Sequence, residues 1–488
     1  MTVDVSYDAR TGAAVEEVAV STPFEVDTAL AAAAAAAPGV AATPPVERAR
    51  LLRALADALE GRADELVALA DRETGLGEER LRMEIGRAAG QLRYHADVAV
   101  EGSYLDVTID TGAPRLARTG VPLGPVAVFG ASNFPFLFGV LGTDTAAALA
   151  AGCPVVVKAN PAQPVLSARL RLLAADVLPA GWFALVSGFE AGGALVASPH
   201  TAAVAFTGSQ RGGLALWRLA NERDVVIPVF AEMGTVNPVV VTAAALSRAD
   251  ELARGFVESF TRGTGQYCTK PGLLFVPAGS GMAGRVAAAL VDLAPEAWLL
   301  TEQIAASAAT GLAELVAAGG TVAGQAPGPG NGWTTPTTVL SAPIEKLRSG
   351  SRLLEECFGP VAIVTEYADR AELEHALGEL QGTLAAAVMA GEDDQDVPWL
   401  VERLTALAGR VTVGDWPTGV AVTGAQHHGG PWPATTRPAT TSVGAGALSR
   451  FTRPVAYQNV PDAALPPPLR AGNPWRLPRR VDGVVTLP

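Results

Sequence analysis

Ala203–Gly213 reads AVAFTGSQRGG, and the fold is decided in these eleven residues. Ala203–Phe206 is a short apolar run of the kind that forms a strand buried on both faces. It ends at Thr207-Gly208-Ser209, and the residues that follow open a helix. A strand passing through a tight glycine turn into a helix is half of a βαβ unit. The glycines are spaced G-x-x-x-x-G, from Gly208 to Gly213, and not the G-x-G-x-x-G of the usual dinucleotide fold. Taken alone, the pattern suits an ordinary strand–helix turn as well as a phosphate site at a helix N-terminus.

Working outward, the same unit recurs. Gly124–Val128 and Pro154–Lys158 are β-branched apolar runs bounded by Gly and Pro, with helical stretches at Thr143–Ala151 and Ser167–Val177. Val226–Phe230 is expected as the next strand. From Glu232 the pattern restarts with Pro238–Val241, Gly272–Val276, Val361–Thr365 and Arg410–Val413. Strands alternating with helices imply right-handed crossovers and a doubly wound sheet, here twice over. Residues 1–100 read as mostly helical, with Val46–Ala70 and Glu78–Ala99 showing apolar residues at three- and four-residue spacing. Leu105–Arg118 alternates like a strand pair leaving the compact body. The tail from Val455, with PDAALPPPLRAGNPW, is too proline-rich for a helix or a sheet centre and is expected to be extended.

Composition narrows the function. The chain has 488 residues, of which 49% are hydrophobic and 17% charged, and a net charge of −13. This describes a multidomain globular protein with a large interior. No Lys/Arg cluster offers a track for nucleic acid. Three scattered cysteines (Cys153, Cys268, Cys357) and five histidines give neither a disulfide framework nor metal-ligand spacing, so no metal is expected. No apolar run reaches the ~18 residues needed to span a bilayer, and the acidic N-terminus is not a secretory signal. A cytoplasmic enzyme with no membrane or nucleic-acid partner is the expectation.

Gly263–Gly272, GTGQYCTKPG, sets Cys268 among small residues, where a thiol can face a cleft; Cys153, in AAGCPVVVK, sits in an apolar run. A reactive thiol needs partial exposure and an electropositive setting. Other segments are notable beside it: VFGASNFPF with Asn133, VVVKANP with Lys158, VFAEMGTVNP with Glu232, LLEECFGP with Glu356 and Phe358, and HHGGPWPATT at 427–436. A glutamate in so apolar a setting as VFAEMG is costly to bury without a role.

In order and spacing these motifs resemble the aldehyde dehydrogenase superfamily, from about Leu51 to the C-terminus. They look most like its NADP-dependent 2-oxoglutarate-semialdehyde (2,5-dioxopentanoate) dehydrogenases. The resemblance implies an α/β fold of two doubly wound domains plus a small β oligomerisation arm. Residues 1–106 and 121–231, with part of 433–452, would form the dinucleotide-binding domain and 232–432 the catalytic domain. Residues 107–120 and 453–488 would be the arm and C-terminal tail of a homodimer or homotetramer. The arm is shorter here than in the resembled proteins.

The resemblance also assigns roles. Cys268 would attack the aldehyde, Asn133 would bind the oxyanion, and Glu232 would activate water to hydrolyse the thioester. Lys158, Gly208, Ser209 and Gly213 would hold the cofactor, with Glu356 and Phe358 at the nicotinamide ribose and Arg211 near a phosphate. No histidine is required. Relatives that prefer NAD carry a Glu three residues after the lysine, where this chain has Pro161, so NADP is expected and NAD remains possible. Arg262 would clamp a substrate carboxylate, with Arg437 and Arg453 as lesser candidates. Fatty or aromatic aldehyde oxidation is the alternative. A Cys-dependent hydrolase or acyltransferase is a distant one, and it would need a histidine near Cys268.

Overall fold

The computed structural model describes residues 2–296 and 298–488. Its first sheet has five strands, all parallel, in the spatial order Phe183–Val186, Val155–Lys158, Val126–Phe129, Ala203–Gly208, Val229–Met233. The chain starts at the central strand, moves outward twice, then returns to the other side. The crevice therefore opens beyond the carboxyl ends of Val126–Phe129 and Ala203–Gly208, where the order reverses. Val126, Ala127, Val128 and Val155–Val157 are buried, as strands covered by helices on both faces must be. The last strand begins three residues later than the sequence suggested, because Pro228 precedes it and cannot donate to a ladder. The shift puts Glu232 inside the strand, opposite Thr207.

The second sheet has seven strands where the sequence suggested four. Their order is Thr321–Ala326, Thr337–Ser341, Val361–Tyr367, Leu273–Pro277, Pro238–Val241, Thr383–Met389, Ala408–Val413, and only the first is antiparallel. Thr383–Met389 is TLAAAVM, alanine-rich like a helix. It is buried along its whole length, and small side chains suit a strand covered on both faces. Residues 234–237 link the two sheets directly.

The N-terminal hundred residues hold an antiparallel hairpin, Val3–Tyr7 with Ala14–Ala19, before four helices. The expected Val46–Ala70 helix breaks at Arg62 into Pro45–Gly61 and Ala63–Thr74. The tail is extended at both ends of its proline-rich stretch, as expected. It supplies the strands Arg479–Val481 and Val484–Thr486 to a third sheet with Thr108–Asp110, Leu116–Pro122 and Thr452–Gln458. The proline-rich stretch between runs beneath that sheet, burying Leu465, Leu469 and Leu477 against Leu105, Val107 and Ile109.

Candidate active site

Between the first two sheets lies a cavity of about 520 Å³, lined by Asn133, Lys158, Gly208, Ser209, Arg211, Glu232, Cys268, Glu356 and Phe358. Of the residues singled out in the sequence, Gly213 lies just beneath this lining. Arg262, Arg437 and Arg453 are exposed and outside it.

The loop that carries Cys268 is held from three sides. It leaves the helix Ala249–Thr261 through three consecutive left-handed residues, Gly263, Thr264 and Gly265. A Cβ at Gly265 would run into the Gly359 backbone, and Thr264 adopts a conformation that costs a non-glycine residue about 1 kcal/mol or more. Asn133 Nδ2 donates to Gln266 O at 2.7 Å. Asn237, itself left-handed and fully buried, donates from Nδ2 to Cys268 O at 2.7 Å and Lys270 O at 3.0 Å. The buried Lys270 ammonium donates to the carbonyls of Cys357, Gly359 and Val361 at 2.7, 3.0 and 2.8 Å. The cysteine loop is thereby tied to the loop that carries Glu356.

The loop that carries Asn133 is braced by two ionisable side chains. Glu84, buried in the helix Glu78–Glu101, accepts the N–H groups of Phe136 and Leu137 at 2.9 and 3.0 Å. Arg80, one turn earlier, donates to Asn133 O at 2.7 Å and lies over the rings of Phe134 and Tyr267. The Asn133 side-chain amide has one N–H committed to Gln266, and an amide carries two.

A histidine that the sequence reading assigned no role stands at the centre. His428 Nε2 is 3.5 Å from Cys268 Sγ and 3.7 Å from Glu232 Oε2. All three groups are held neutral. Burial, reinforced by Glu232 and Glu356, pushes the Cys268 thiol up to about 12. Burial, with Arg410 and His427 beside it, takes the His428 imidazole down to about 3. Burial raises the Glu232 carboxyl to about 8 against the opposing charge of Arg450. Its Oε2 has no hydrogen-bond partner among the described residues. Cys268 Sγ and Glu232 Oε2 both face this one imidazole nitrogen, which in the neutral ring can accept a single proton once a reactant makes the thiolate worthwhile. His428 was in view as part of HHGGPWPATT. The signal that could have found it is the pair Gly429–Gly430, where a Cβ would meet the carbonyl oxygens of Thr440 and Thr383 at 2.9 and 2.4 Å.

The nucleotide side is shaped by missing side chains. A Cβ on Gly208 would sit 2.8 Å from the Phe206 ring, and one on Gly213 would sit 2.6 Å from Met233 Sδ. Ser209 caps the helix Gln210–Asn221, its Oγ accepting the Gly212 N–H at 3.2 Å. The first N–H groups of that helix face the cavity mouth, where a phosphate is favoured. Lys158 ends its strand at the cavity wall, and burial holds its ammonium below the usual range. The charge opposing that shift is Asp4, from the N-terminal hairpin, an acid the local sequence around Lys158 gave no hint of. Glu356 lies over Gly234, where a Cβ would occupy the place of its carboxylate, and burial raises it to about 7. Glycine space, a helix N-terminus, a lysine and a carboxyl around one cleft fit a dinucleotide. Among the described residues, no group of three or more His, Cys, Asp or Glu is arranged to hold a metal ion, and no single helix is long and apolar enough to cross a membrane.

Known proteins resemble this chain throughout. Residues 2–431 match the family described as "Aldehyde dehydrogenase family". An alpha-ketoglutaric semialdehyde dehydrogenase 2 of Azospirillum brasilense is 42% identical over 91% of this chain and 88% of its own. The fold matches that of a mutant of aldehyde dehydrogenase C from Pseudomonas syringae, solved with NAD+ and octanal, at 24% identity and a TM-score of 0.83 over 95% of each chain. Proline utilization A is 27% identical with a TM-score of 0.80 over 90% of this chain, which spans 45% of that longer protein. This chain belongs to the aldehyde dehydrogenase family, the oxidoreductases that turn aldehydes into carboxylic acids with a nicotinamide cofactor.

Proposed function

We propose that this enzyme oxidises 2-oxoglutarate semialdehyde to 2-oxoglutarate, with NADP as the preferred cofactor. The observation that carries the chemistry is the alignment of Cys268, His428 and Glu232 on the wall of the nucleotide cleft. The substrate rests on the 42% identity to a relative of that name over nearly its whole length.

The residues act in sequence. Cys268 Sγ attacks the aldehyde carbon as its proton passes to His428 Nε2, and the oxyanion that forms is met by the free N–H of the Asn133 amide. Such a donor is worth ~3 kcal/mol to the transition state. Bound nicotinamide supplies the acceptor for the hydride that leaves the aldehyde carbon. The Cys268 thioester then faces Glu232, whose carboxylate takes a proton from water as the water attacks. The carboxylic acid departs and the thiol is regenerated. Lys158, Gly208, Ser209 and Gly213 would hold the nucleotide, with Arg211 at the rim, and Glu356 and Phe358 would serve its nicotinamide end.

NADP is favoured by the residues after Lys158. With Pro161 in place of an acid, no carboxylate in that segment repels a 2′-phosphate. Asp4 opposes this preference from the hairpin. The third sheet, with exposed Val484, Val485 and Leu487 at its edge, supports association into a homodimer or homotetramer. Absorbance of reduced nicotinamide, followed with 2-oxoglutarate semialdehyde, a fatty aldehyde and an aromatic aldehyde, tests the assignment. A fatty or aromatic aldehyde outperforming the semialdehyde in kcat/KM overturns it.

A further inference from the structure

Three carbonyls of the loop from Gly130 to Asn133 are each held by a side chain from elsewhere. From the segment after Lys158, Asn160 Nδ2 donates to Gly130 O at 3.0 Å and Gln163 Nε2 to Ser132 O at 2.7 Å. The third carbonyl, Asn133 O, accepts from Arg80 Nη2 at 2.7 Å. Arg80 differs from the other two because it also touches the loop that carries Cys268. Its guanidinium carbon lies 5.2 Å from the centroid of the Phe134 ring and 5.0 Å from that of Tyr267. The two rings themselves meet edge to face, with centroids 4.9 Å apart. Phe134 follows Asn133, and Tyr267 precedes Cys268. Gly263 makes the room: its backbone is left-handed, and a Cβ there would strike both Arg80 Nη1 and the Tyr267 ring. One flat cation is thus wedged between the neighbours of Asn133 and Cys268 and bonded to Asn133 itself.

Hydrogen bonding alone does not account for this wedge. Among the described residues, Arg80 Nε and Nη1 are buried with no hydrogen-bond partner. Buried donors without acceptors oppose folding, and the faces of the two rings offset that cost by attracting the cation. A planar group stacked on two rings and bonded at its edge has little freedom to turn, so what it supplies is fixed geometry. Asn133 depends on such geometry. Its carbonyl sets the backbone from which its amide projects, and that amide already donates at 2.7 Å to Gln266 O on the cysteine loop.

We propose that Arg80 is a positioning residue, which holds the Asn133 amide where its second N–H meets the oxyanion formed at Cys268. This rests on the reading above for the oxyanion role of Asn133 and is independent of which aldehyde is the substrate. A lysine could make the bond to Asn133 O but has no plane to lay against both rings.

Single-turnover bursts of reduced cofactor test this, with whichever aldehyde of the three named above the wild type oxidises fastest. In Arg80→Met the burst rate should fall about thirtyfold, the scale of a displacement under about 1 Å. The half-saturating aldehyde concentration should stay the same, and Arg80→Lys should be intermediate. Alkylation of Cys268 by iodoacetamide, read as adduct mass, passes through no oxyanion and should keep its rate. A merely structural wedge would slow both reactions alike; that result, or an unchanged burst, overturns the proposal. The decisive comparison combines Arg80→Met with Asn133→Ala. If Arg80 acts through Asn133, the double variant should be no slower than Asn133→Ala alone, and effects that multiply overturn the proposal. A wild-type burst in Asn133→Ala would overturn the oxyanion assignment itself, and this inference with it. Where Arg80→Met fails to fold, Arg80→Lys carries every comparison.

Discussion

The two walls of the cleft are built by opposite means. On the nucleotide side, space is made by leaving side chains out: Gly208, Gly213 and Gly234 each stand where a Cβ would strike Phe206, Met233 or Glu356. On the cysteine side, the backbone is fixed by buried polar groups. Asn237 and Lys270 donate to the carbonyls of Thr235, Cys268, Lys270, Cys357, Gly359 and Val361, and Glu84 holds the loop of Asn133. For the nucleotide proposed to bind here, a ready-made cradle would suffice through shape. A thiol that must ionise transiently needs donors and acceptors held within a few tenths of an ångström, which apolar packing does not provide.

The largest effect expected on the cysteine wall is total. Cys268→Ala should abolish formation of reduced cofactor, a loss on the order of 10⁴-fold or more, while cofactor still binds and quenches or shifts tryptophan fluorescence. Loss of both activity and binding would show that the two walls are one cooperative unit, not two separable constructions.

Next comes the proton path, where Glu232→Gln and His428→Asn should each cost about 10²–10⁴-fold in steady-state turnover. They should fail at different steps. Glu232→Gln keeps a burst of one reduced cofactor per site and accumulates acyl-enzyme on Cys268, whereas His428→Asn slows the burst itself. Glu232 ionises near pH 8 in the folded protein, so deacylation should rise with pH around that value, and the limb should vanish in Glu232→Gln. The same shift has a stability consequence. An unfolded glutamate ionises near 4.5 while the folded one stays protonated, so its contribution to stability is fully present below pH 4.5 and lost as pH rises through 8. Glu232→Gln should therefore flatten the loss of stability between pH 4.5 and 8 in urea titrations. A burst lost in Glu232→Gln would make Glu232 the base for the thiol instead.

On the nucleotide wall the expected effects are smaller because shape can relax. Gly213→Ala places a methyl 2.6 Å from Met233 Sδ, and overpacking of this kind typically costs about 1–3 kcal/mol. Methionine is pliable, so the lower half of that range applies. The cofactor KM should rise about tenfold with the rate of Cys268 alkylation unchanged. A change in alkylation would show that the walls communicate.

How much of this was legible in the sequence follows the same division. The cradle is local: Ala203–Gly213 carries its strand, turn, cap and glycines within one window, and Thr143–Ala151 forms the helix its pattern suggests. The braces are not local. Asn237 reads as one more residue before a proline, and its partners at 268 and 270 are known only once the sheets stand together. His428 lies 160 residues from Cys268, in a segment with neither helical nor strand periodicity. The strand Thr383–Met389 was hidden by its alanines, since a central position in a parallel sheet removes the alternation that would have marked it.

The smallest effect concerns the cofactor, and here local and distant residues oppose one another. In the proposed reading, Pro161 follows Lys158 where an acid would hold an unphosphorylated ribose, and this favours NADP. Asp4 reaches the same lysine from the hairpin, its Oδ2 buried with no hydrogen-bond partner among the described residues. A carboxylate there disfavours a 2′-phosphate through a charge contact that solvent at the cleft mouth partly screens. Pro161→Glu should move the ratio of kcat/KM for NADP over NAD toward NAD by about tenfold, or 1.4 kcal/mol. Asp4→Asn should move it the other way by about threefold, the weaker effect because Asp4 makes no direct ion pair with Lys158. A wild-type preference for NAD of about tenfold or more would mean that Asp4 outweighs the missing acid. In that case Asp4→Asn, and not a change at Pro161, should be the variant that restores NADP.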